Sequence, residues 1–570
     1  MVHWGQSETT EKVQVVQQAK NNFKTSRNAR NPFKINVFRG IIEASNERKK
    51  TMLRPNHKQT NFYSSLYDRI PENHLLKQIE KAVDFSFINK LLADSYCATF
   101  GRPAKEPELM AKLCILERLY NLSDVKVIEE ANCNLAYLWF LGLNPDDPLP
   151  DPSLLAKFRT QRLKDISLDE ILSEIVRQCV DKGIIKGTTL SVDSTHTEAN
   201  CKKQVPERIM KHLAAKIFAG LEADHDGQLP SGIDTNIPDY KGIEDHQEAK
   251  RTMKEYLEKT MEAAEPHAGE VTKGIIEEVK DVLSDEKFML QKGLRSLVDP
   301  DARVGYKSKT DSFFGYKTEY TMITDERIIT AVDVHDGAYV DGTKFHELLK
   351  KTENTGAKVE AVTGDKAYFR KEILDELEQK KIESIIPVNA CTYRVDEDLF
   401  SYNKDSDEWF CRNGNRTVKK QQRLRKSKDG EPALYYTYTF DKDGCKGCPY
   451  REECMGRASG GRRFTISETT PAFFLESQRQ KKPEFLEKYR KRASEEWKNA
   501  EMKRFHGLAR AIGWGLRSMA FQAKFTAIAV NLKRIANLIR ENERGKKGND
   551  DLFYCFFIHM RIFRKLKAAC

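Results

Sequence analysis

The stretch Glu487–Lys503 reads EKYRKRASEEWKNAEMK and carries Tyr489, Arg492, Glu496 and Lys503 at successive steps of 3, 4 and 7. Those steps return a side chain to one side of an α-helix, so the spacing predicts one polar stripe on one continuous helix. A carboxylate flanked by an arginine, a lysine and a phenol suits a site that handles a metal and a phosphate. Taken alone, the stripe reads as the solvated face of a charged helix. The decision between the two readings lies elsewhere in the chain.

Two further carboxylates follow strand-like runs. Thr188–Asp193 (TTLSVD) is β-branched and apolar, ends on an acid and continues as Ser194, Thr195 and His196, which predicts a strand delivering Asp193 at its tip. Val359–Asp365 (VEAVTGD) repeats the pattern and ends on Asp365. Between them, Phe314–Ile323 and Ile328–Val334 alternate around the polar break Asp325-Glu326 and predict a hairpin. A helix over Lys371–Lys380 and a strand over Ile382–Val388 complete the order β, ββ, α, β, α, β, an α/β arrangement. Carboxylates converging from separate elements bind something positive, and hard oxygen ligands suit Mg²⁺ or Mn²⁺. Singly, each strand-end aspartate reads as a turn residue.

The flanking segments differ in texture. Leu75, Leu76, Ile79, Val83, Phe87 and Leu91 recur at helical steps, as do Leu109, Met110, Leu113, Leu116 and Leu119. After the turn Asn144–Pro152, in which Asp151 can cap, comes SLLAKFRTQRLK, whose Lys157, Arg159 and Arg162 mark either a DNA-facing helix or an ordinary solvated face. Residues 206–299 read as a helical insertion, and residues 1–51 as a basic extension without periodicity. From Asn389 to Lys482 the period is lost, and Cys445-Lys446-Gly447-Cys448 is followed by Cys454. With Cys411 or Cys391 these could make four zinc ligands; plain cytosolic thiols are the other reading. Phe521, Phe525, Ile528, Leu532, Ile535 and Leu538 predict a long closing helix that packs on the sheet.

The chain has 570 residues, room for several domains, and a net charge of +11, which permits a polyanionic partner without demanding one. Most of its 12 cysteines are scattered, and no run approaches the ~20 apolar residues of a membrane span. A cytoplasmic protein with free thiols is expected, and the apolar run Leu552–Ile562 is expected to be a packing or partner surface.

The combination resembles the bacterial insertion-sequence DDE transposases whose last motif is Tyr-x2-Arg-x3-Glu-x6-Lys. Tyr489, Arg492, Glu496 and Lys503 meet that spacing. VDSTHTEAN around Asp193, VTGDKAYF around Asp365 and the segment His506–Ile535 are similar to the family's other motifs, with Ser194 where many members have Gly. The resemblance runs from about Met52, itself a plausible start, to about Glu541. It implies an RNase H-like mixed sheet with flanking helices, split as a helical N-terminal domain (52–166), a catalytic core (167–205, 300–388 and 483–541), the helical insertion (206–299), a strand-rich, cysteine-containing insertion (389–482) and a tail (542–570). It also implies that Asp193, Asp365 and Glu496 bind two Mg²⁺ or Mn²⁺ ions, while Tyr489, Arg492 and Lys503 hold the DNA backbone. In relatives, a tryptophan of the second insertion steadies a flipped base; Trp409 and Trp497 are the residues to compare, and a structural role is expected for each. The implied protein binds the terminal inverted repeats of its element as a homodimer, cleaves there and joins the ends to target DNA. A DNA-binding relative without activity, and a nuclease of this fold without strand transfer, are the alternatives.

Overall fold

A computed structural model describes residues 64–567, except 98–102, 164, 287, 291–292, 309, 390 and 427–431. The basic extension expected over 1–51 lies outside the described residues. Residues 92–106 group with the first 55 residues as one unit, of which a 3₁₀ turn at Ala93–Ser95 is described. The other unit, 56–91 and 107–570, holds every element discussed below.

The architecture is mixed α/β. Its six-stranded sheet is built around β1 (Thr189–Glu198). β2 (Arg303–Tyr306) pairs with the start of β3 (Ser312–Ile323), and β3 lies antiparallel to β1 and to β4 (Ile328–Asp336). On the other side of β1 run β5 (Ala361–Thr363) and β6 (Glu383–Ile385), both parallel to it in register. The hairpin of β3 and β4 stands where the alternation predicts it, with Arg327 in the left-handed region (φ 58°) at its turn. Asp193 is not at a strand tip, contrary to expectation. β1 continues to Glu198 because His196, Thr197 and Glu198 go on pairing with Lys317, Tyr316 and Gly315, and Thr195 and Thr197 are buried there. Asp193 instead lies just past the end of the parallel ladder, where Ser191 faces Thr363.

Helices flank the sheet. From the N-terminal side come α1 (Ser64–Tyr67), α2 (Leu75–Ala82), α3 (Phe87–Leu91), α4 (Pro107–Leu119), α5 (Asp124–Cys133), α6 (Leu135–Leu141), α7 (Ser153–Lys157) and α8 (Asp165–Asp181). The stretch 206–299 folds as α9 (Pro206–Asp224), α10 (His246–Ala264) and α11 (Glu270–Ser284) around an apolar core of its own, including Leu213, Ile217, Met253 and Val279. α12 (Phe345–Asn354) and α13 (Lys371–Gln379) are the crossovers that make β1, β5 and β6 parallel.

Beyond β6 the chain forms a hairpin, β7 (Phe400–Asn403) with β8 (Glu408–Cys411), and a sheet in the order β11 (Arg463–Ser467), β10 (Pro432–Phe440), β9 (Thr417–Lys426). Trp409 is fully buried between them, edge-on to Phe464 and Phe474, and is therefore a core residue. The short helices α14 (Lys442–Lys446) and α15 (Arg451–Met455) interrupt this sheet, and α16 (Thr470–Gln480), α17 (Pro483–Arg490) and α18 (Ala493–Phe505) return the chain to the core.

α19 (Gly515–Lys567) packs along β4 and against α2, α4 and α8. It also completes the sheet edge: the Asn531 amide donates to the Ile329 carbonyl (2.7 Å) and accepts from the Ile329 N–H (2.8 Å). That exchange imitates a neighbouring strand and satisfies backbone groups that would otherwise be buried unpaired. The tail expected at 542–570 continues this helix as far as Lys567.

One close approach fixes the β1–β3 register. A Cβ on Gly315 would lie 2.1 Å from the Thr197 carbonyl oxygen and 2.7 Å from the Ala199 nitrogen, both backbone atoms that cannot step aside. Gly315→Ala is therefore expected to destabilise the protein by about 1–3 kcal/mol, as overpacking does. Chemical denaturation checks this; an unchanged midpoint would show that β1 and β3 can separate there without cost.

Candidate functional site

The parallel register makes the site. Ser191 on β1 faces Thr363 on β5, so two residues further along each strand Asp193 and Asp365 arrive side by side. Gly364 permits the approach, since a Cβ there would already stand 3.0 Å from Val192 Cγ1. Asp365 then caps the 3₁₀ turn Lys366–Tyr368, its Oδ1 accepting from the Ala367 N–H at 2.8 Å. Behind it, buried Glu319 on β3 accepts from the hydroxyls of Tyr368 and Tyr339 (2.8 Å each) and from the Gly342 N–H (2.6 Å). These bonds tie the loop that carries Asp365 to the strand beside Asp193.

Asp193 is 8% exposed, and its carboxyl is pushed up to about 6, first by burial and further by the charge of Asp365, with Arg492 opposing. Its partners come from the helical return. Asn499 Nδ2 donates to Asp193 Oδ2 at 2.8 Å while Asn499 Oδ1 accepts from the Tyr320 hydroxyl at 3.0 Å, and an Arg492 guanidinium nitrogen stands 3.6 Å from Asp193 Oδ1. Lys503 Nζ lies 3.3 Å from the His196 ring. Burial and the nearby Lys307 lower the Lys503 ammonium to about 8, and burial with the Lys503 charge lowers His196 to about 4. Tyr489 packs on Phe485 and the ends of β5 and β6, with its hydroxyl toward Arg492.

The continuous helix expected over Glu487–Lys503 is broken. α17 stops at Arg490, and the next turns close by i→i−3 bonds: Arg492 N to Tyr489 O (3.0 Å), Ser494 N to Lys491 O (3.2 Å) and Glu495 N to Arg492 O (2.9 Å). Each residue of such a turn advances about 120° instead of about 100°. The accumulated rotation turns Glu495 inward. Its side chain is 0% exposed, 3.3 Å from Arg492 Nε, and burial followed by the charge of Asp193 drives its carboxyl well above the usual range. Glu496 is exposed on the open side of α18, beside Trp497, which is 70% exposed. The structure thus brings Asp193, Asp365, Tyr489, Arg492 and Lys503 to one place, and Glu495 rather than Glu496 is the carboxylate packed against them. Asn499, Tyr320 and the Glu319 cluster were not singled out by the sequence, because an asparagine or tyrosine inside a helix or strand has no distinctive spacing.

A second cluster lies in the strand-rich part. Cys411, Cys445, Cys448 and Cys454 line a single cavity of about 30 Å³, together with Asn415, Arg451 and Arg462. Asn415 Nδ2 donates to Cys445 Sγ at 3.2 Å. Burial raises the Cys454 thiol, with Arg462 opposing and the other three cysteines adding to the rise. Cys391 is exposed and does not line this cavity, so Cys411 is the fourth member. Among the described residues, no three His, Cys, Asp or Glu side chains already stand in ion-holding geometry, either here or at the aspartates.

Just past α7, Arg159 pairs with Glu117 and Asp124 and covers the Phe521 ring at 5.4 Å, so it is tied into the packing of the N-terminal helices. Lys157 is exposed and Arg162 half-buried. The helix closes on a wide turn over Phe158–Arg162.

Comparison with known proteins gives two family matches. Residues 64–161 match the family model described as a transposase domain (DUF772), and residues 410–536 match the model of a transposase DDE domain. Both are transposase domains. The second match spans the cysteine cluster, α18 and the start of α19. No curated protein matches the sequence. Among solved structures, a piggyBac transposase synaptic complex with hairpin DNA aligns over 81% of this chain and 78% of its own, at 11% identity and a TM-score of 0.24, too loosely to bear on fold or function. No described helix is long and apolar enough to cross a membrane.

Arg159→Ala removes the ion pair of Asp124 and one of the two cations on buried Glu117, which keeps Arg118, and is expected to cost about 1 kcal/mol, whereas Lys157→Ala leaves stability unchanged. Thermal unfolding of the two variants checks this; equal midpoints would return Arg159 to the surface.

Proposed function

We propose that this chain is a DDE transposase with an RNase H-like catalytic core that binds the terminal inverted repeats of its element, cleaves there and transfers the strands to target DNA. The observation that carries the reading is the parallel β1–β5 register, which aligns Asp193 with Asp365 beneath Arg492 in a chain matching two transposase domains. Its support at the level of fold is the strand order, with the antiparallel β2, β3 and β4 on one side of β1 and two parallel strands on the other.

Asp193 and Asp365 fit divalent ions, because they stand side by side at the end of the β1–β5 ladder and a cation held by both would offset the burial and the neighbouring charge that raise Asp193. Asp193, Asp365 and Glu496 would hold Mg²⁺ or Mn²⁺, which when bound supplies Lewis-acid stabilisation of the oxygens exchanged at phosphorus. Glu496 is the third acid in this reading because it is open to solvent and ions, whereas Glu495 is sealed off and its burial favours the neutral form. Asn499 fixes the rotamer of Asp193, leaving its other oxygen toward Arg492. Arg492 offers a planar fork to a DNA phosphate and Lys503 a point charge, while Tyr489 buttresses Arg492. Exposed Lys157 would meet DNA at the helical module, and joining two ends implies a homodimer on DNA.

The test uses a duplex carrying the inverted repeats that flank the gene. Asp193→Asn and Glu496→Gln are expected to lower Mg²⁺-dependent end cleavage on the order of a thousandfold or more with end binding retained, while Glu495→Gln keeps cleavage. Loss with Glu495→Gln alone would exchange the two glutamates. Cleavage surviving Asp193→Asn would remove the catalytic reading, and cut ends without joined product would favour a nuclease.

We also propose a structural zinc held by Cys411, Cys445, Cys448 and Cys454. The four cysteines around one cavity and the Asn415 amide on Cys445 support it. Elemental analysis of the purified chain is expected to find about one zinc per chain, reduced in Cys448→Ser; a metal-free, fully folded chain would exclude it.

A further inference from the structure

β9 is an unusual strand: nine of its ten residues, Val418–Lys426, are exposed. It is an edge strand, paired only through β10 within its sheet. The two faces of this sheet differ. Tyr438, Phe440, Phe464 and Ile466 belong to the face that packs on Phe400 and Trp409. On that face Lys420 is neutralised by Asp407 at 2.6 Å.

The alternate residues form the outer face, and the register arranges them in rows. Lys419 faces Thr439, which faces Arg463; Gln421 faces Thr437, which faces Thr465; Arg423 faces Tyr435, which faces Ser467; Arg425 follows opposite Ala433. Thr437 and Thr465 share a 3.0 Å hydroxyl contact, and the Arg425 guanidinium lies 5.3 Å from the Tyr435 ring, which confirms that these side chains are neighbours. Among the described residues of this face there are four cations and no acid.

Neighbouring strands lie about 4.8 Å apart and alternate residues about 7 Å apart along a strand. These cations therefore stand within or near one screening length, about 8 Å at physiological salt, and repel one another. A sheet face so composed is unfavourable in isolation and is relieved by a polyanion. Arginine, lysine, glutamine, threonine and tyrosine are also the side chains that donate to phosphate and sugar. A three-stranded face about 10 Å across is comparable in width to the major groove of duplex DNA, about 12 Å.

We propose that this outer face, with Lys419, Gln421, Arg423, Arg425, Tyr435 and Arg463, is a duplex-DNA contact surface separate from the carboxylate site. The choice of DNA as the occupant rests on the transposase reading. Its contacts are with the backbone, so it adds affinity without sequence preference.

The experiment measures the affinity of the full chain for the inverted-repeat duplex and for an unrelated duplex of equal length, across a salt series. In the variant Lys419→Gln, Arg423→Gln, Arg425→Gln and Arg463→Gln, affinity for both duplexes is expected to fall at least tenfold. The slope of log K against log salt should shrink by about 3 to 4, one phosphate contact per charge removed. A control with Lys211, Lys241, Lys259 and Lys273 changed to Gln loses the same charge from exposed sites on the helical insertion and should keep the wild-type slope. Thermal midpoints of both variants should match the wild type. A slope unchanged in the first variant, or a loss seen only with an RNA duplex, overturns this surface while leaving the transposase reading intact. A wild-type chain that binds no duplex DNA overturns both.

Discussion

The structure turns on the desolvation of Asp193. A carboxylate 8% exposed in a central strand, with a second acid next to it, is unfavourable unless donors and cations are brought to it. Apart from the adjacent Ser194 N–H, those partners are not local. Asn499 and Arg492 both come from the segment that returns about 300 residues later, and they meet Asp193 from above the sheet. Docking of α18 is thus the means by which β1 can hold an acid at all. The same docking seats Lys503 against His196 and brings the loop after α18 onto the end of β1, where the Glu198 N–H donates to the Ala509 carbonyl (3.1 Å) and the Ala511 N–H to the Glu198 carbonyl (2.8 Å).

That loop is held in turn by α19. Gln522 accepts from the Ile512 N–H and donates to the Gly507 and Arg510 carbonyls, so one amide fixes the approach of the loop to β1. His506 Nδ1, within the same segment, contacts the Arg118 carbonyl of α4 at 2.9 Å. Because α19 also supplies the strand-like exchange at Ile329, one helix joins the N-terminal helices, the sheet edge and the site loop. Its apolar period was legible for this reason: Phe525, Ile528, Leu532 and Ile535 are all fully buried.

What the sequence disclosed and what it hid divide along physical lines. Elements marked by a run of apolar or β-branched residues, or by a helical apolar period, were legible, as with the hairpin of β3 and β4 and the helices of 206–299. The orientation within Glu487–Lys503 was not, because nothing in the residues between Tyr489 and Glu495 marks a turn closing by i→i−3 bonds; the apolar groups it packs against belong to β5 and β6. Arg159 looked like a surface cation because its partners, Glu117 and Asp124, are distant in the chain. The grouping of Cys445, Cys448 and Cys454 was local and readable, whereas choosing Cys411 over Cys391 needed the β7–β8 hairpin. β9 carries no apolar period because both its faces meet solvent over much of its length, and its state comes from pairing with β10.

The position of the strand-rich part follows from how its two ends are tied. It leaves the sheet after β6 and returns through α16, and the two ends are stitched together: Val388 N–H donates to Gln480 Oε1 (2.9 Å), Gln480 Nε2 donates to the Ile386 carbonyl (2.9 Å), and Arg479 pairs with Glu383 (3.3 Å). Phe369, four residues past Asp365, packs on Phe473 of α16 with ring centres 4.7 Å apart. The β9–β11 sheet is therefore tied to the loop of Asp365 through Phe369 and Phe473, and to β6 through Arg479 and Gln480 of α16. An insertion placed between the second aspartate and the glutamate-bearing helix could easily have left these acids independent of one another. The stitched stem instead makes the spacing of the carboxylates and the placement of the inserted sheet parts of one packing problem.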